Sequence, residues 1–262
     1  MIQTSSNLEL HATHLCNLSC DNCSHFSNYQ HHGILSVEEA GQWMAPWGRR
    51  VEPYTFLILG GEPTLHPELS DLLVLSRRCF STTTIRLITN GTYLHRHPAL
   101  PHIAKANNIE ISITEHADAD SRRTREFEAI KALAREWLAM GVKISIPPPY
   151  PWVVRYRGHG ESIMPFEDGN PFQSWSKCCD PNHSCVQLHE GRLWKCSLLA
   201  YLPMMKSKYP RLSSAWDVGL AYRPIGPEAS DKEVIEFFER REETVCGLCP
   251  SRWIPGKEGL KD

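Results

Sequence analysis

Strand-like and helix-like runs alternate from residue 8 to residue 146, and no other feature narrows the fold of this chain as far. Leu8, Leu10 and Ala12 alternate with Glu9, His11 and Thr13, the period of two of a short strand. Ser36-Val37-Glu38-Glu39 is a capping box that opens a helix toward Met44, and Tyr54 to Leu59 is a compact apolar run ending at Gly60-Gly61. A helix is expected from Pro67 to Phe80, with Leu69, Leu72, Leu73 and Leu75 as its apolar face. A strand follows from Thr83 to Thr89, closed by the turn pair Asn90-Gly91. Then come a short helix at Leu100 to Ala106, a strand at Ile109 to Thr114, a long helix at Thr124 to Met140 with Gly141 as its C-cap, and a strand at Val142 to Ile146. Such alternation predicts an α/β protein with a parallel sheet and helical crossovers. Periodicity leaves both an open doubly wound sheet and a barrel standing; in either, function gathers on the loops after the strands.

At Pro147 the pattern breaks into Pro147-Pro148-Pro149-Tyr150-Pro151-Trp152, followed by a polar stretch as far as Trp175. The expected organisation is therefore a core at 1–147, a bridging segment at 148–177 and a cysteine-rich unit at 178–262. In the last, Cys185 to Cys196 reads as a hairpin turning at Glu190-Gly191, and Asp231 to Glu243 as a helix delivering Cys246. Lys plus Arg is 28 against 30 for Asp plus Glu, so net charge gives no reason to expect a nucleic acid or an anionic membrane as partner. No stretch approaches the roughly 18 apolar residues of a membrane span, and Met1 to Leu10 lacks the basic and apolar regions of a signal peptide. The expected location is cytoplasmic.

The ten cysteines do not suit a disulfide framework in such a chain. Nine fall into an N-terminal and a C-terminal group; Cys79, alone on a helix, reads as a buried thiol. Cys16, Cys20 and Cys23 have the spacing C-x3-C-x2-C, and three thiolates on one short loop can take three corners of an iron–sulfur cubane, leaving the fourth iron open. A zinc site is the alternative, with His25 or His31 as a fourth ligand.

This loop, following the first strand of an α/β alternation, resembles that of the radical S-adenosylmethionine (SAM) enzymes. Gly60-Gly61-Glu62-Pro63 after the second strand is similar to the family's GGEP motif, and Thr89-Asn90-Gly91 after the third resembles a recurring family turn. The resemblance covers about residues 8 to 146 and implies a partial (β/α)6 barrel of TIM type. It implies a [4Fe-4S] cluster whose open iron binds the amino and carboxylate groups of SAM, cleaved on one-electron reduction to methionine and a 5′-deoxyadenosyl radical. Gly60, Gly61, Glu62, Pro63, Asn90 and Ser112 are the implied SAM-binding residues. One departure is Asn22, where the family often has an aromatic residue near the adenine; His25 or Phe26 is the expected substitute. Thr114, Glu115 and His116, at the end of the fourth strand, are candidates for contact with SAM or substrate.

Gly191 to Cys196 has the form G-x4-C, and Cys246-Gly-Leu-Cys249 supplies a C-x2-C. This looks like the SPASM/twitch extension of radical SAM enzymes, in its form with a single auxiliary [4Fe-4S] cluster. Cys196, Cys246 and Cys249 are the expected ligands, with Cys178, Cys179 or Cys185 as the fourth; a zinc knuckle is the alternative. In the bridging segment, Arg155 and Arg157 share a face if extended and are candidates to clamp a substrate carboxylate or phosphate. The resemblance leads to hydrogen abstraction from a small polar substrate of sugar, aminocyclitol or nucleoside type in natural-product or cofactor biosynthesis, the auxiliary cluster accepting an electron. Peptide maturation and sulfur insertion are the alternatives, and the electron donor would be of flavodoxin or ferredoxin type.

Overall fold

Residues 1–116, 121–148, 153–166, 169–178 and 184–254 are described by the computed structural model. Short strands β1 (Ile2–Gln3) and β3 (Val51–Glu52) pair in parallel by themselves. The main sheet contains β2 (Asn7–Thr13), β4 (Thr55–Gly60), β5 (Thr84–Thr89), β6 (Ile109–Ile113) and β7 (Lys143–Ser145), each within two or three residues of its expected bounds. Between them run α1 (Val37–Gly48), α2 (Leu69–Cys79), α3 (Leu100–Ala106) and α4 (Ser121–Ala139). Ser36 caps α1 as expected, its hydroxyl accepting the Glu39 N–H at 3.2 Å.

The hairpin β8 (Cys185–His189) and β9 (Arg192–Trp194) turns at Glu190-Gly191, whose φ values of 52° and 71° are those of a type I′ turn. Its first strand does not stand apart from the core. The sheet order is β7-β6-β5-β4-β2-β8-β9, with β8 parallel to β2 and only β9 antiparallel. Leu8 lies beside both Phe56 and Val186, and Leu10 beside both Ile58 and Leu188. Period-two patterning identifies such strands but carries no information about which edge they join.

Alternate strand residues define two unlike faces. Leu8, Leu10, Phe56, Ile58, Ile85, Leu87, Ile109, Ile111, Val186 and Leu188 form one core with apolar residues of α1, α2, α3 and α4, and with Val234 and Phe237 of α8 (Asp231–Glu239). These helices thus share one core on one face of a mostly parallel sheet, an arrangement consistent with a partial barrel. The opposite, inner face carries Glu9, His11, Arg86, Glu110, Ser112, Gln187 and His189 together with the apolar Leu57, Leu59 and Ile88.

A second core joins Phe26 and Tyr29 of the cysteine loop to Tyr156, Trp216, Leu248 and α6 (Ser197–Lys208). The flanking helices are α5 (Pro171–Ser176) and α7 (Asp217–Leu220). Helix α6 has no amphipathic signature, because Leu198, Leu199, Ala200, Tyr201, Leu202 and Met205 are all buried and Pro203 interrupts the run. Helix α8 ends at Glu239, short of its expected end, and Lys195 Nζ binds the carbonyls of Arg240 and Arg241 at 2.5 and 2.8 Å just beyond. Replacing Leu10, fully buried between sheet and helices, by Ala is expected to cost about 2–5 kcal/mol in denaturant unfolding, with an unchanged m-value.

Candidate functional site

Parallel strands bring their C-terminal ends to one edge, and the three N-terminal motifs meet there. The Gly60-Gly61 pair lies directly on the backbone that leads into the cysteine loop. Gly61 N–H donates to Thr13 O and Glu62 N–H to Leu15 O, both at 2.8 Å. A Cβ at Gly61 would stand 2.1 Å from Leu15 O, and one at Gly60, where φ is +152°, 2.3 Å from Thr13 O. Only glycine permits that approach. The loop then coils through left-handed backbone at Asn22, Phe26 and Gln30, with φ of 55°, 56° and 54°.

Glu62, 1% exposed, ties this loop edge together. Its Oε1 accepts Thr64 N–H at 3.0 Å and the Thr64 and Thr89 hydroxyls at 2.5 Å each, while Oε2 accepts Asn90 N–H at 2.7 Å. Asn90 Nδ2 donates in turn to Asn17 Oδ1 at 2.9 Å, inside the C-x3-C segment. Burial raises the Glu62 pKa despite these donors, so the carboxylate sits where a cation would be welcome.

The sulfur groups have the same preference. Burial, and then the neighbouring thiols, push Cys20 up to about 12; burial pushes Cys16 to about 12, with Glu62 and Cys23 adding to it. Burial would also raise Cys23, but hydrogen bonding and charge from His25 bring it below the ordinary thiol value. Three crowded thiolates repel one another unless a cationic centre lies among them, and an all-sulfur set from one loop suits an iron–sulfur cluster. His31, considered above as a zinc ligand, faces Met205 Sδ at 3.3 Å instead. Among the described residues no three His, Cys, Asp or Glu side chains form a group that could hold a metal ion.

Five cysteines of the second group, Cys178, Cys185, Cys196, Cys246 and Cys249, line one cavity of about 60 Å³, several times the room a water needs. Burial, followed by the charges of neighbouring thiols, raises Cys196, and likewise Cys249 to about 12 with Cys178 first among its neighbours. Cys246, raised mainly by burial, also feels Cys178. Cys178, Cys196, Cys246 and Cys249 are thus mutually coupled, and the side chain of Lys195 lines the same cavity. Cys179 lies outside the described residues.

Other expected residues are placed as follows. His116 Nδ1 lies 4.0 Å from Cys20 Sγ, and Ser112 is on the inner face of β6. Glu115 follows that strand at the same edge. Arg155 donates to the Cys178 carbonyl, and Arg157 to Pro165 O at 3.1 Å while stacking on Phe166. Phe26 is fully buried against Tyr156. Sequence reading did not single out the cluster of His11, His14, His25 and His189 around Tyr201, whose ring lies 4.3, 5.0, 6.3 and 5.0 Å from theirs. Its traces were His25, considered above singly, and the polar alternation of Glu9 and His11 along the first strand.

The sheet thus carries a thiol-rich and a glycine-rich loop together at its C-terminal edge. The model of the radical SAM superfamily matches residues 10–149, more than half of the chain. The chain belongs to that superfamily, which implies a [4Fe-4S] cluster and SAM as cofactors. No curated protein matches it. Similar solved structures include native anSMEcpe with bound AdoMet, 20% identical over 53% of this chain and 43% of that one, with a TM-score of 0.43. BtrN in complex with AdoMet and 2-DOIA is 14% identical over 92% and 89%, with a TM-score of 0.49. Streptococcus suis SuiB bound to S-adenosylmethionine is 10% identical over 90% and 66%, with a TM-score of 0.38. The chain spans less than half the length of anSMEcpe.

Gly61→Ala is expected to force the Leu15–Cys16 backbone outward and lower the iron retained after anaerobic reconstitution severalfold, measured by iron and acid-labile sulfide content of the folded protein.

Proposed function

We propose that Cys16, Cys20 and Cys23 hold the [4Fe-4S] cluster and that the chain abstracts hydrogen from a small polar substrate, of sugar, aminocyclitol or nucleoside type, in natural-product or cofactor biosynthesis. The observation that carries this reading is the meeting of the cysteine loop, Gly60–Pro63 and Asn90 at one sheet edge, tied by Glu62. When bound, the cluster and SAM supply, on one-electron reduction, a 5′-deoxyadenosyl radical able to take a hydrogen atom from carbon. The remaining steps fall to the chain. Gly60, Gly61, Glu62 and Pro63 receive the methionine end; Glu62 Oε2 accepts a single hydrogen bond, from Asn90, and retains acceptor capacity for an ammonium group. Asn90 and Ser112 orient the nucleoside part, and Glu115 and His116 face the substrate.

The inner face supports a polar substrate: Arg86 and Glu110 pair at 2.8 Å there, and His11 Nε2 is buried without a hydrogen-bond partner. Cys178, Cys196, Cys246 and Cys249 hold an auxiliary [4Fe-4S] cluster, and Arg155 helps to seat it by binding the Cys178 carbonyl. Full cysteine ligation suits electron acceptance, so the reaction favoured is a dehydrogenation in which the substrate gives up a hydrogen atom, then an electron and a proton. A flavodoxin- or ferredoxin-type protein is the reductant that this chemistry calls for.

Anaerobic reconstitution should yield about eight irons per chain, falling to about four in the Cys16, Cys20, Cys23 triple Ala variant, which should make no 5′-deoxyadenosine. Turnover in the Cys20→Ala variant would sink the ligand assignment. The Cys196→Ala, Cys249→Ala variant should also keep about four irons and still release 5′-deoxyadenosine, but fail to oxidise substrate; its retaining eight would overturn Cys196 and Cys249 as ligands of the auxiliary cluster.

A further inference from the structure

Two neighbouring residues of the bridging segment reach the two cysteine groups separately. The Tyr156 hydroxyl donates to the carbonyl of Cys23 at 3.3 Å, and the Arg155 guanidinium donates to the carbonyl of Cys178. The Cys23 carbonyl also accepts the Phe26 N–H at 2.9 Å, which closes the turn at the end of the first cysteine loop. Cys178 N–H donates to Trp175 O at 3.0 Å, at the end of α5. Tyr156 is 1% exposed and its ring packs 5.2 Å from that of Phe26, so a buried hydroxyl finds its acceptor on the cysteine loop.

The backbone that carries this pair is itself pinned. Val154 N–H donates to Ile254 O at 3.1 Å, Arg157 and Met164 exchange backbone hydrogen bonds at 2.9 and 2.8 Å, and Phe166 N–H donates to Leu248 O at 2.9 Å. Leu248 precedes Cys249, whose carbonyl accepts the Ser174 hydroxyl of α5 at 2.9 Å. The pair is thus braced against the second cysteine group while Tyr156 reaches the first. Ordering one end of such a brace removes part of the ordering cost at the other, and coupling of this kind is reciprocal.

We infer that Arg155 and Tyr156 are positioning residues that join the two cluster sites: a cluster held by one cysteine group steadies, through this pair of hydrogen bonds, the backbone that holds the other. The inference rests on the assignment of Cys23 and Cys178 as ligands of different clusters. It gives the bridging segment a task beyond seating the auxiliary cluster, because the lifetime of each site then depends on whether the other is filled.

The test follows iron release to a ferrous chelator from the anaerobically reconstituted full chain, each cluster being identified by its reduced EPR spectrum. The first cluster should lose iron severalfold faster in the Cys196→Ala, Cys249→Ala variant than in the parent. Tyr156→Phe keeps the ring and removes the hydroxyl, and on that background the first cluster should lose iron at one rate whether the second site is filled or not. Arg155→Met should abolish the difference too, and Arg155→Lys, which keeps a donor, should restore part of it. A merely structural defect would speed release equally with and without the second cluster and leave the ratio unchanged. An unchanged ratio in both Tyr156→Phe and Arg155→Met would overturn the inference, as would equal rates without either substitution. If the Cys196→Ala, Cys249→Ala variant assembles no first cluster, the reciprocal ratio decides: release from the second cluster in the parent and in the Cys16, Cys20, Cys23 triple Ala variant, with and without Tyr156→Phe. About eight irons retained in Cys23→Ala or Cys178→Ala would overturn the ligand assignment, and the inference with it.

Discussion

The carboxylate of Glu62 holds together the edge on which the rest of this protein depends. Hydrogen bonds from Thr64, Thr89 and Asn90 converge on it, and its own N–H binds Leu15 O, so the ends of β2, β4 and β5 are locked in one arrangement. A buried acceptor of this kind is expensive to leave unsatisfied, and each donor it recruits fixes a piece of backbone. The glycines before it are the complement. Without side chains at Gly60 and Gly61, that edge can approach the Thr13–Leu15 backbone closely enough to aim the cysteine loop.

A second buried carboxylate does similar work between the two halves of the molecule. Through Gln187 and Tyr201, Glu9 joins the first parallel strand to a strand and helix nearly two hundred residues later in the chain. Phe26 and Tyr29 reinforce the joint by entering the C-terminal core with Tyr156 and Trp216. The cysteine loop is therefore gripped from both sides, by the sheet edge and by the C-terminal elements. Residues of the N-terminal and C-terminal stretches meet in both cores, and Tyr156 and Ile163 of the bridging stretch join the second.

Much of the fold was legible because its signals are local. Leu8, Leu10 and Ala12, the Ser36 cap and the apolar face of α2 each report their own backbone conformation, and each element formed where its pattern lies. Helix α6 was not legible, since burial on nearly every side erases the polar stripe that marks a helix. The bound of α8 was missed for a different reason: its end coincides with carbonyls held by Lys195, a residue more than forty positions away.

The candidate site divides in the same manner. By itself the sequence determined the chemistry on offer: the cysteine spacing, the glycine pair with its Glu62, and the turn at Asn90, because these are contiguous stretches whose residue types and spacings are written in the chain. Only the tertiary structure decided which distant groups they meet. It brought Cys178 to Cys196, Cys246 and Cys249, turned Arg155 and Arg157 to backbone carbonyls, and placed His25 beside Glu9. The physical reason is that strand pairing and core packing are set by surfaces meeting across the fold. The side-chain pattern states which face of an element is apolar but not which partner will cover it.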